Sequence, residues 1–418
     1  MNRNMISLNN NILKIFTTSL VVLTFFGSLR AQVALVKDIN PAGNAFPFTD
    51  DLAVLGNKIL FRADDNVNGR ELWVSDGTEA GTFLLKDINP GSEASIPFRL
   101  TATKKLVYFS AIAPASGREI YRSDGTPEGT FLVDEIIPGS EGLTSSTFYP
   151  GDSIIYYTGQ SSTSVLDIFA IRGDSIVQLT DYQFEFSTGI NGAVFGENLY
   201  YTNPSAPADD PFGLELYRTD GTAAGTGLFK DLAEGSANSV PGRYGVANNR
   251  LLFYADSVGN ANDPFATEGV GSEPFISDGT VEGTYFLKDI NPGIANSFGG
   301  LSQSNFYVAL DNGLILFSAT TENTNSELFA TDGTPEGTYL VKDILPGGAF
   351  NEASNPSNLT SAGNVVYFAA RTNNGTELWR SDGTNAGTYM IKDINQPGDG
   401  INNIFKEWVM LDNKLYFT

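Results

Sequence analysis

Residues 71–82 read Glu-Leu-Trp-Val-Ser-Asp-Gly-Thr-Glu-Ala-Gly-Thr, and nearly the same stretch occurs six times in this chain. We call the shared pattern, Glu-Leu-aromatic-x-Ser/Thr-Asp-Gly-Thr-x-x-Gly-Thr, the repeat motif. Its copies begin at Glu71, Glu119, Glu215, Glu273, Glu327 and Glu377. A period of about 50 residues indicates one supersecondary unit that is copied along or around an axis.

One period carries a degenerate copy of the motif. The glycines Gly125 and Gly221 are separated by about two periods, and Gly173 falls midway between them. Residues 167–170, Asp-Ile-Phe-Ala, replace the usual strand opening there. The sequence therefore predicts seven full units.

Each unit contains four candidate strands separated by tight turns. In the first unit they are Leu52–Leu55, Lys58–Ala63, Glu71–Val74 and Thr82–Ile88. Turns rich in Gly, Asn and Asp between such runs predict an antiparallel meander. Adjacent large apolar residues, such as Leu72 and Trp73, point to opposite faces of a strand, so both faces of each sheet are expected to be buried. This pattern is typical of β-propeller blades, with a β-solenoid as the main alternative.

The chain ends predict a further, shared blade. Residues 408–411 and 414–417 repeat the first two strands of a unit, and residues 33–39 repeat the fourth. We therefore predict an all-β fold: a β-propeller of four-stranded antiparallel blades, with seven full blades and an eighth shared between the termini. The eighth blade lacks a third strand, which predicts either a fragment truncated at its C-terminus or a three-stranded closing blade.

The first 31 residues predict a secretory signal peptide. They include Arg3 and Lys14, no acidic residue and a short apolar run from Ile15 to Leu29. The propeller is then expected over residues 32–418 of an exported chain, secreted or held at the cell surface. Membrane insertion of the mature chain is not expected. Because the chain has no cysteine, the core has to provide its stability without disulfides.

Charge and composition exclude several functions. The formal net charge of −23 disfavours nucleic acids and anionic membranes as partners. The absence of histidine excludes Ser-His-Asp and Cys-His catalytic sites and ordinary zinc sites. Any catalysis would have to use carboxylates, Tyr, Lys or Arg.

The repeated residues resemble the E-L-W-x-x-D-G-T repeat family of secreted and surface proteins of Bacteroidetes and related bacteria. The resemblance covers roughly residues 33–418, and the copies at residues 71–82 and 377–388 match the pattern best. It implies a propeller-like fold without a common enzymatic activity, often beside a C-terminal sorting domain for type IX secretion. This chain departs from the pattern at Gly173, at Pro274 and in having no sorting domain.

The Asp-Gly pairs of the motif are interpreted as structural turns, because Asp accepts hydrogen bonds from nearby N–H groups and Gly adopts positive φ. The alternative, a cation at each Asp, is less economical for residues that recur in every blade. The pairs are Asp76-Gly77, Asp124-Gly125, Asp220-Gly221, Asp278-Gly279, Asp332-Gly333 and Asp382-Gly383. The motif glutamate and the lysine of the following Lys-Asp-Ile segment are expected to form an ion pair within the blade.

Two short stretches suggest binding sites. Asp64, Asn66 and Asn68, followed by Gly69, match the opening of a calcium loop, although Ser75 occupies the position of the last acidic ligand. The alternative is an ordinary turn, so Ca²⁺ is a candidate ligand and no other cofactor is expected. Arg172-Gly173-Asp174 matches an integrin-binding tripeptide, but a tight turn explains it equally well.

The function predicted is non-enzymatic surface binding or adhesion, with an unknown glycan or protein as ligand. Its binding surface would lie on one end of the propeller, over the channel or on the inserts at residues 203–213 and 257–272. A carboxylate-based glycan-active enzyme is the first alternative, and a structural module of a larger surface protein is the second. The enzyme would use non-repeating acids, and a glycan platform would use non-repeating aromatics. The candidates are Asp209, Asp210, Asp263, Glu268, Phe212 and Phe265.

Overall fold

The fold was analysed in a computed structural model. It describes residues 6–8, 12–14, 33–43, 45, 52–136, 146–160, 166–181, 190–202, 212–235, 237–257, 270–293, 295–298, 307–346, 353–394, 398–401, 409–411 and 414–416. Every regular element in these ranges is a β-strand. No helix long and apolar enough to cross a membrane occurs among them.

Seven four-stranded antiparallel sheets confirm the predicted blades, and in each sheet the strands follow one another in chain order. Blade 1 contains Leu52–Leu55, Lys58–Asp64, Arg70–Ser75 and Phe83–Lys86; blade 2 contains Phe98–Ala102, Val107–Ala113, Gly117–Ser123 and Phe131–Asp134; blade 3 contains Ser146–Pro150, Ile155–Gln160, Leu166–Arg172 and Ser175–Gln178; blade 4 contains Gly192–Phe195, Asn198–Thr202, Leu216–Thr219 and Gly227–Lys230. Blade 5 contains Gly242–Ala247, Arg250–Ser257, Val270–Ser277 and Thr284–Phe286; blade 6 contains Tyr307–Ala309, Ile315–Thr321, Asn325–Thr331 and Tyr339–Lys342; blade 7 contains Ser357–Ser361, Val366–Thr372, Gly375–Ser381 and Tyr389–Lys392.

The chain divides into two compact units. One comprises Met1–Gly189, Gly196–Leu199 and Thr219–Thr226, and the other comprises Ile190–Phe195, Tyr200–Arg218 and Gly227–Thr418. Within each unit the first strands of successive blades lie side by side. This order is that of propeller blades, whose first strands are innermost.

The hydrophobic core lies between blades, as the apolar pairs predict. Leu72 faces blade 2 and packs with Phe109 and Tyr121, while its neighbour Trp73 packs on the opposite face with Val36. Further clusters join blades 2 and 3, 4 and 5, 5 and 6, and 6 and 7. Full burial of one such side chain contributes about 1.5–3 kcal/mol, so this packing is the main source of stability in a chain without disulfides.

The aromatic position of the repeat motif is part of this interblade packing. Its six described members other than Tyr217 are at most 8 % exposed. They are Trp73, Tyr121, Phe169, Phe275, Phe329 and Trp379. Tyr217 lies within ring-contact distance of Tyr201. At these six residues the repeated position therefore belongs to the core.

The chain ends show part of the predicted eighth blade. Val409–Leu411 and Lys414–Tyr416 form an antiparallel hairpin, the expected first two strands. Val33–Leu35 pairs instead with Ile6–Leu8, which also pairs with Ile12–Lys14. This small sheet lies partly in the predicted signal peptide and was not anticipated. The sharing of one blade between the termini and the signal peptide itself both stay predictions.

The segment after Val33–Leu35 does act on blade 1 as a preceding fourth strand would. The ammonium group of Lys37 donates to the carbonyl of Thr82 at 2.7 Å. Val36 and Ile39 pack against Phe61 and Trp73 of blade 1. The Lys-Asp-Ile segment at residues 37–39 thus makes contacts of the same type as the later copies.

Candidate functional site

The Asp-Gly-Thr-x-x-Gly-Thr loop is closed by its own side chains. In blade 1, Oδ1 of Asp76 accepts hydrogen bonds from the N–H of Thr78 at 2.9 Å and from its hydroxyl at 2.7 Å. The hydroxyl of Thr78 in turn accepts the N–H of Gly81 at 2.9 Å. At the base of the loop, the hydroxyls of Ser75 and Thr82 are 2.6 Å apart and buried.

The same contacts recur in all six copies of the motif. The aspartates that accept the two threonine donors are Asp76, Asp124, Asp220, Asp278, Asp332 and Asp382. Hydrogen bonds from Thr78 lower the pKa of Asp76, and Thr334 does the same for Asp332. The first glycine of each loop has positive φ, from 82° at Gly125 to 95° at Gly333. These are the hydrogen bonds and the backbone conformation that the turn interpretation requires.

The motif glutamate binds the connection to the next blade. In blade 6, Glu327 is fully buried and its carboxylate accepts the N–H of Ile344 at 2.8 Å. It also accepts the N–H of Ser354 at 3.2 Å and its hydroxyl at 2.6 Å. Glu71 and Glu215 make equivalent contacts in blades 1 and 4. The glutamate therefore closes the loop between the fourth strand and the next first strand.

The predicted ion pair between this glutamate and the Lys-Asp-Ile lysine is wrong. The lysine points to the following blade: Nζ of Lys342 donates to the carbonyl of Thr388 at 2.8 Å. Lys288 donates to the carbonyl of Thr338 at 2.5 Å. Backbone N–H groups, rather than an ammonium group, thus surround the glutamate, and the lysine joins neighbouring blades.

Burial makes these glutamates weaker acids than glutamates in water. Removal from water raises the pKa of Glu71, Glu215 and Glu327, and it raises that of Glu273 to about 8. The hydrogen bonds to Glu273 oppose this shift, whereas the negative charge of Asp289 adds to it. The carboxyl groups near the start of these third strands are therefore harder to ionise than a glutamate in water.

The sequence did not indicate a set of unsatisfied acceptors beside the glutamates. Oδ1 of the aspartate that follows the lysine of the fourth strand is buried and has no hydrogen-bond partner among the described residues in four blades. These aspartates are Asp87, Asp231, Asp289 and Asp343. In blade 5, Oδ1 of the buried Asn291 is also unpartnered within the described ranges. A buried water, a proton or a cation would satisfy such oxygens.

The candidate calcium loop is held by its own backbone. Oδ1 of Asp64 accepts the N–H of Asn66 at 2.7 Å, and Oδ1 of Asp65 accepts the N–H groups of Val67 and Asn68 at 2.9 and 2.8 Å. Oδ2 of Asp65 accepts the side-chain amide of Asn68 at 2.7 Å. Such contacts are those of an ordinary turn. Over the ranges that the structure covers, no three acidic side chains come together as a metal site, and calcium stays a prediction.

The Arg-Gly-Asp tripeptide contacts neighbouring blades. The carboxylate of Asp174 lies 2.9 Å from Nε of Arg122. The carbonyl of Gly173 accepts the hydroxyl of Tyr108 at 3.1 Å, and Arg172 donates to the carbonyl of Asp220 at 3.1 Å. These contacts support the turn interpretation over a receptor-binding one.

The non-repeating candidates lie almost wholly in segments outside the described residues. These are Asp209, Asp210, Asp263, Glu268 and Phe265. Phe212 is described, and the residue is 37 % exposed. The structure therefore gives no distance between the acids that a carboxylate-based enzyme would need.

No protein-family model matches the chain, and no curated protein matches it. Solved structures resemble it at low identity. A puromycin hydrolase is 14 % identical with a TM-score of 0.40, covering 86 % of this chain and 55 % of its own. A prolyl endopeptidase structure is 14 % identical with a TM-score of 0.43, covering 84 % and 49 %.

The β-propeller domain of the Trilobed protease from Pyrococcus furiosus is 13 % identical with a TM-score of 0.37, covering 83 % of this chain and 98 % of its own. The chain thus spans about half the length of the two peptidase structures. The propeller-type fold is established by the seven four-stranded sheets themselves, and the activities of these distant proteins do not transfer to the chain.

Proposed function

We propose that this chain is an exported, non-enzymatic propeller that binds a glycan or a protein at a cell surface. One observation carries the proposal: the polar residues of the repeat motif are engaged in holding the blades. The aspartates bind their own turns, the glutamates bind the links between blades, and the lysines bind the next blade. Recognition is then left to the segments that differ between blades.

The strands that flank those segments assign them to one end of the blades. In an antiparallel meander, the turn from the second to the third strand and the link from the fourth strand to the next blade lie at the same end. The buried glutamate marks this end because it begins the third strand and binds the link. The inserts at residues 203–213 and 257–272 contain the connections between the second and third strands of blades 4 and 5. We assign the binding surface to this end.

The absence of histidine bears on an enzymatic alternative. A Ser-His-Asp hydrolase needs a histidine, and residues 1–418 contain none. A glycan-active enzyme would need two carboxylates about 5–10 Å apart. We therefore keep that function as the outcome of a test rather than as a second proposal.

A glycan-array screen of residues 32–418, with Ca²⁺ and with a chelator, tests the proposal. We expect a restricted set of bound glycans and no release of products from them. Hits that are lost on chelation and in an Asp64→Asn variant, but kept in the exposed control Glu79→Gln, would assign a calcium-dependent site to the loop at residues 64–69. Product release from bound glycans would overturn the non-enzymatic function. Failure to bind glycans, cells or surface proteins would favour a structural module.

A further inference from the structure

In blades 2, 5 and 7 the chain enters the first strand through the same strained segment. Its pattern is Ser-x-Pro-x-Arg/Asn, at residues 95–99, 239–243 and 354–358. In blade 2 the residue before the proline, Ile96, has a φ of 48°, and Arg99 at the end of the segment has a φ of 56°. The same two positions have positive φ in blades 5 and 7. Positive φ is costly for residues other than glycine, so each segment holds its backbone against a local preference.

The second strained position lies in a bulge of the first strand. In blade 2, Phe98 pairs with Ser110 and Thr101 pairs with Tyr108, so the first strand has one extra residue. Blades 5 and 7 show the same shift at residues 242–245 and 357–360. Bulges of this kind redirect side chains. Because the bulge recurs with different side chains, its backbone belongs to the blade and the side chains that it displays are the variable part.

The bulge of blade 2 displays an aromatic ring and a guanidinium group together. Phe98 is 39 % exposed, and Arg99 is also exposed. Nη1 of Arg99 donates to the hydroxyl of Thr147, on the first strand of blade 3, at 2.6 Å. Its Cζ lies 5.4 Å from the centroid of the Phe98 ring. The equivalent pairs are Gly-Arg at residues 242–243 and Ser-Asn at residues 357–358, so blade 2 differs from both in its aromatic ring.

Two further arginines hold the segment that precedes this pair. Arg62 of blade 1 donates to the carbonyl of Pro97 at 3.2 Å, and Arg118 of blade 2 donates to the carbonyl of Ile96 at 3.1 Å. Glu71 contacts the start of the segment, but burial raises its pKa and so disfavours its charged form. Positive charge is therefore concentrated around residues 96–99 of a chain whose net charge is −23, and this favours an anionic ligand there.

We propose that Phe98 and Arg99 bind a carboxylate-bearing glycan, an oligosaccharide of the uronate type. This inference rests on the proposed function and names the class of glycan. A guanidinium fork matches the two oxygens of a carboxylate, and an exposed ring can pack against the apolar C–H face of a sugar. Both residues lie at the start of a first strand, where the link from the preceding blade arrives, which is the end already assigned to binding.

Calorimetric titration of residues 32–418 with trigalacturonate tests this inference, with its methyl ester as the neutral control. We expect saturable binding of the acid and binding of the ester that is at least about tenfold weaker, since the ester cannot accept the charge-assisted bonds. Arg99→Asn should weaken binding of the acid about 10- to 100-fold, the effect of losing hydrogen bonds to a charged group. Asn is the residue of blade 7 at this position and tolerates positive φ, so the bulge is kept.

The matched control is Lys105→Met, which removes an equal charge at the turn between the first and second strands, the opposite end of blade 2. It should leave binding unchanged. Arg99 and Lys105 are both exposed, so both variants should melt at the temperature of the wild type. Equal binding by the wild type and Arg99→Asn would overturn the inference. An equal loss in both variants would also overturn it, because long-range charge attraction would then explain the binding.

Two further outcomes separate this inference from simpler ones. Inorganic sulfate that competes as strongly as trigalacturonate at the same concentration would overturn it, because the ring would then contribute nothing. No binding of trigalacturonate at millimolar concentration would overturn it as well. Array hits confined to neutral glycans, or binding of a protein alone, would overturn this inference and leave the proposed function standing. Absence of any glycan or protein ligand would overturn both.

Discussion

At the scale of a single residue, one contact explains why the second glycine of the motif loop recurs in every copy. A Cβ atom on Gly81 would overlap the carboxylate of Asp76, and the same overlap arises at Gly129, Gly225, Gly283, Gly337 and Gly387. The carboxylate occupies this space because it accepts both donors of Thr78. The pattern Asp-Gly-Thr-x-x-Gly is therefore a packing requirement as much as a turn preference.

We expect Gly81→Ala to lower the free energy of unfolding by about 1–3 kcal/mol, the range for overpacking at a tight site. The added methyl group would displace Asp76 and break its bonds to Thr78. Gly227→Ala is the matched control, because a Cβ there meets nothing within 4 Å. Urea denaturation of both variants measures the difference. Equal stabilities would show that the loop relaxes freely and that Asp76 does not hold it.

Each motif glutamate is a second determinant at this scale. Glu71→Ala would leave the N–H groups of Ile88 and Ser95 and the hydroxyl of Ser95 buried without an acceptor. We expect a loss of about 2–4 kcal/mol in the free energy of unfolding, because unsatisfied buried donors keep their desolvation cost. Glu79→Ala, at an exposed position of the same blade, should change it by less than about 0.5 kcal/mol. Chemical denaturation of the pair distinguishes a structural carboxylate from a dispensable one.

At the scale of the element, the fourth strand contains a bulge. The bulge directs one side chain into the core and the next one, a lysine, toward the neighbouring blade. In blade 1, Leu72 pairs with Lys86 and Trp73 with Leu84, so Leu85 is the extra residue. Leu85 is 2 % exposed and enters the core between blades. Similar register shifts occur in blades 2, 4, 6 and 7. The bulge places an apolar residue in the core and allows the adjacent lysine to extend toward the next blade.

Removal of one of these lysines tests its role between blades. Lys342→Met keeps the apolar stem and removes the donor to the Thr388 carbonyl. We expect the free energy of unfolding to fall by about 0.5–1.5 kcal/mol, the net contribution of a hydrogen bond. In a double-mutant cycle with Glu327→Ala the coupling energy should be close to zero, since the two side chains bind different partners. A coupling energy of about 1 kcal/mol or more would show that Glu327 and Lys342 interact as an ion pair after all, against the contacts in the structure.

For the whole molecule, buried glutamates and exposed turn aspartates give opposite dependences on pH. The pKa of Glu273 is about 8 in the folded chain against an ordinary value of 4.5, so the folded state binds more protons between these two values. Its contribution to stability is complete below about pH 4.5 and is lost as the pH rises through about 8. The turn aspartates have lowered pKa values, so their contribution is lost only when the pH falls below about 4.

We therefore expect the free energy of unfolding, measured in a chelator, to be highest at mildly acidic pH and to fall from about pH 5 to about pH 8.5. In Glu273→Gln the neutral amide replaces the titrating group, and the slope should decrease by up to about 1.4 kcal/mol per pH unit. Repulsion within a chain of net charge −23 acts in the same direction, and the variant separates the two effects. An unchanged slope would mean that the N–H donors keep Glu273 ionised.

The repeat spacing determined the number of blades and the order of their strands, because the period can be read directly from the positions of the motif copies in the sequence. The bounds of the first unit show this: the predicted strands Leu52–Leu55 and Lys58–Ala63 differ from the observed ones by at most one residue. The Asp-Gly turns were equally readable, since their hydrogen bonds join residues two or three positions apart. The apolar pair Leu72-Trp73 correctly predicted burial on both faces of a sheet.

Only the tertiary structure decided which partners the charged residues take. Glu71 and Lys86 suggested an ion pair by their positions on neighbouring strands, but the glutamate binds N–H groups 17 to 24 residues away. Lys342 reaches a carbonyl of another blade 46 residues further along the chain. Such choices depend on the bulge, on the path of the link and on which groups are cut off from water, and none of these is a local property of the sequence.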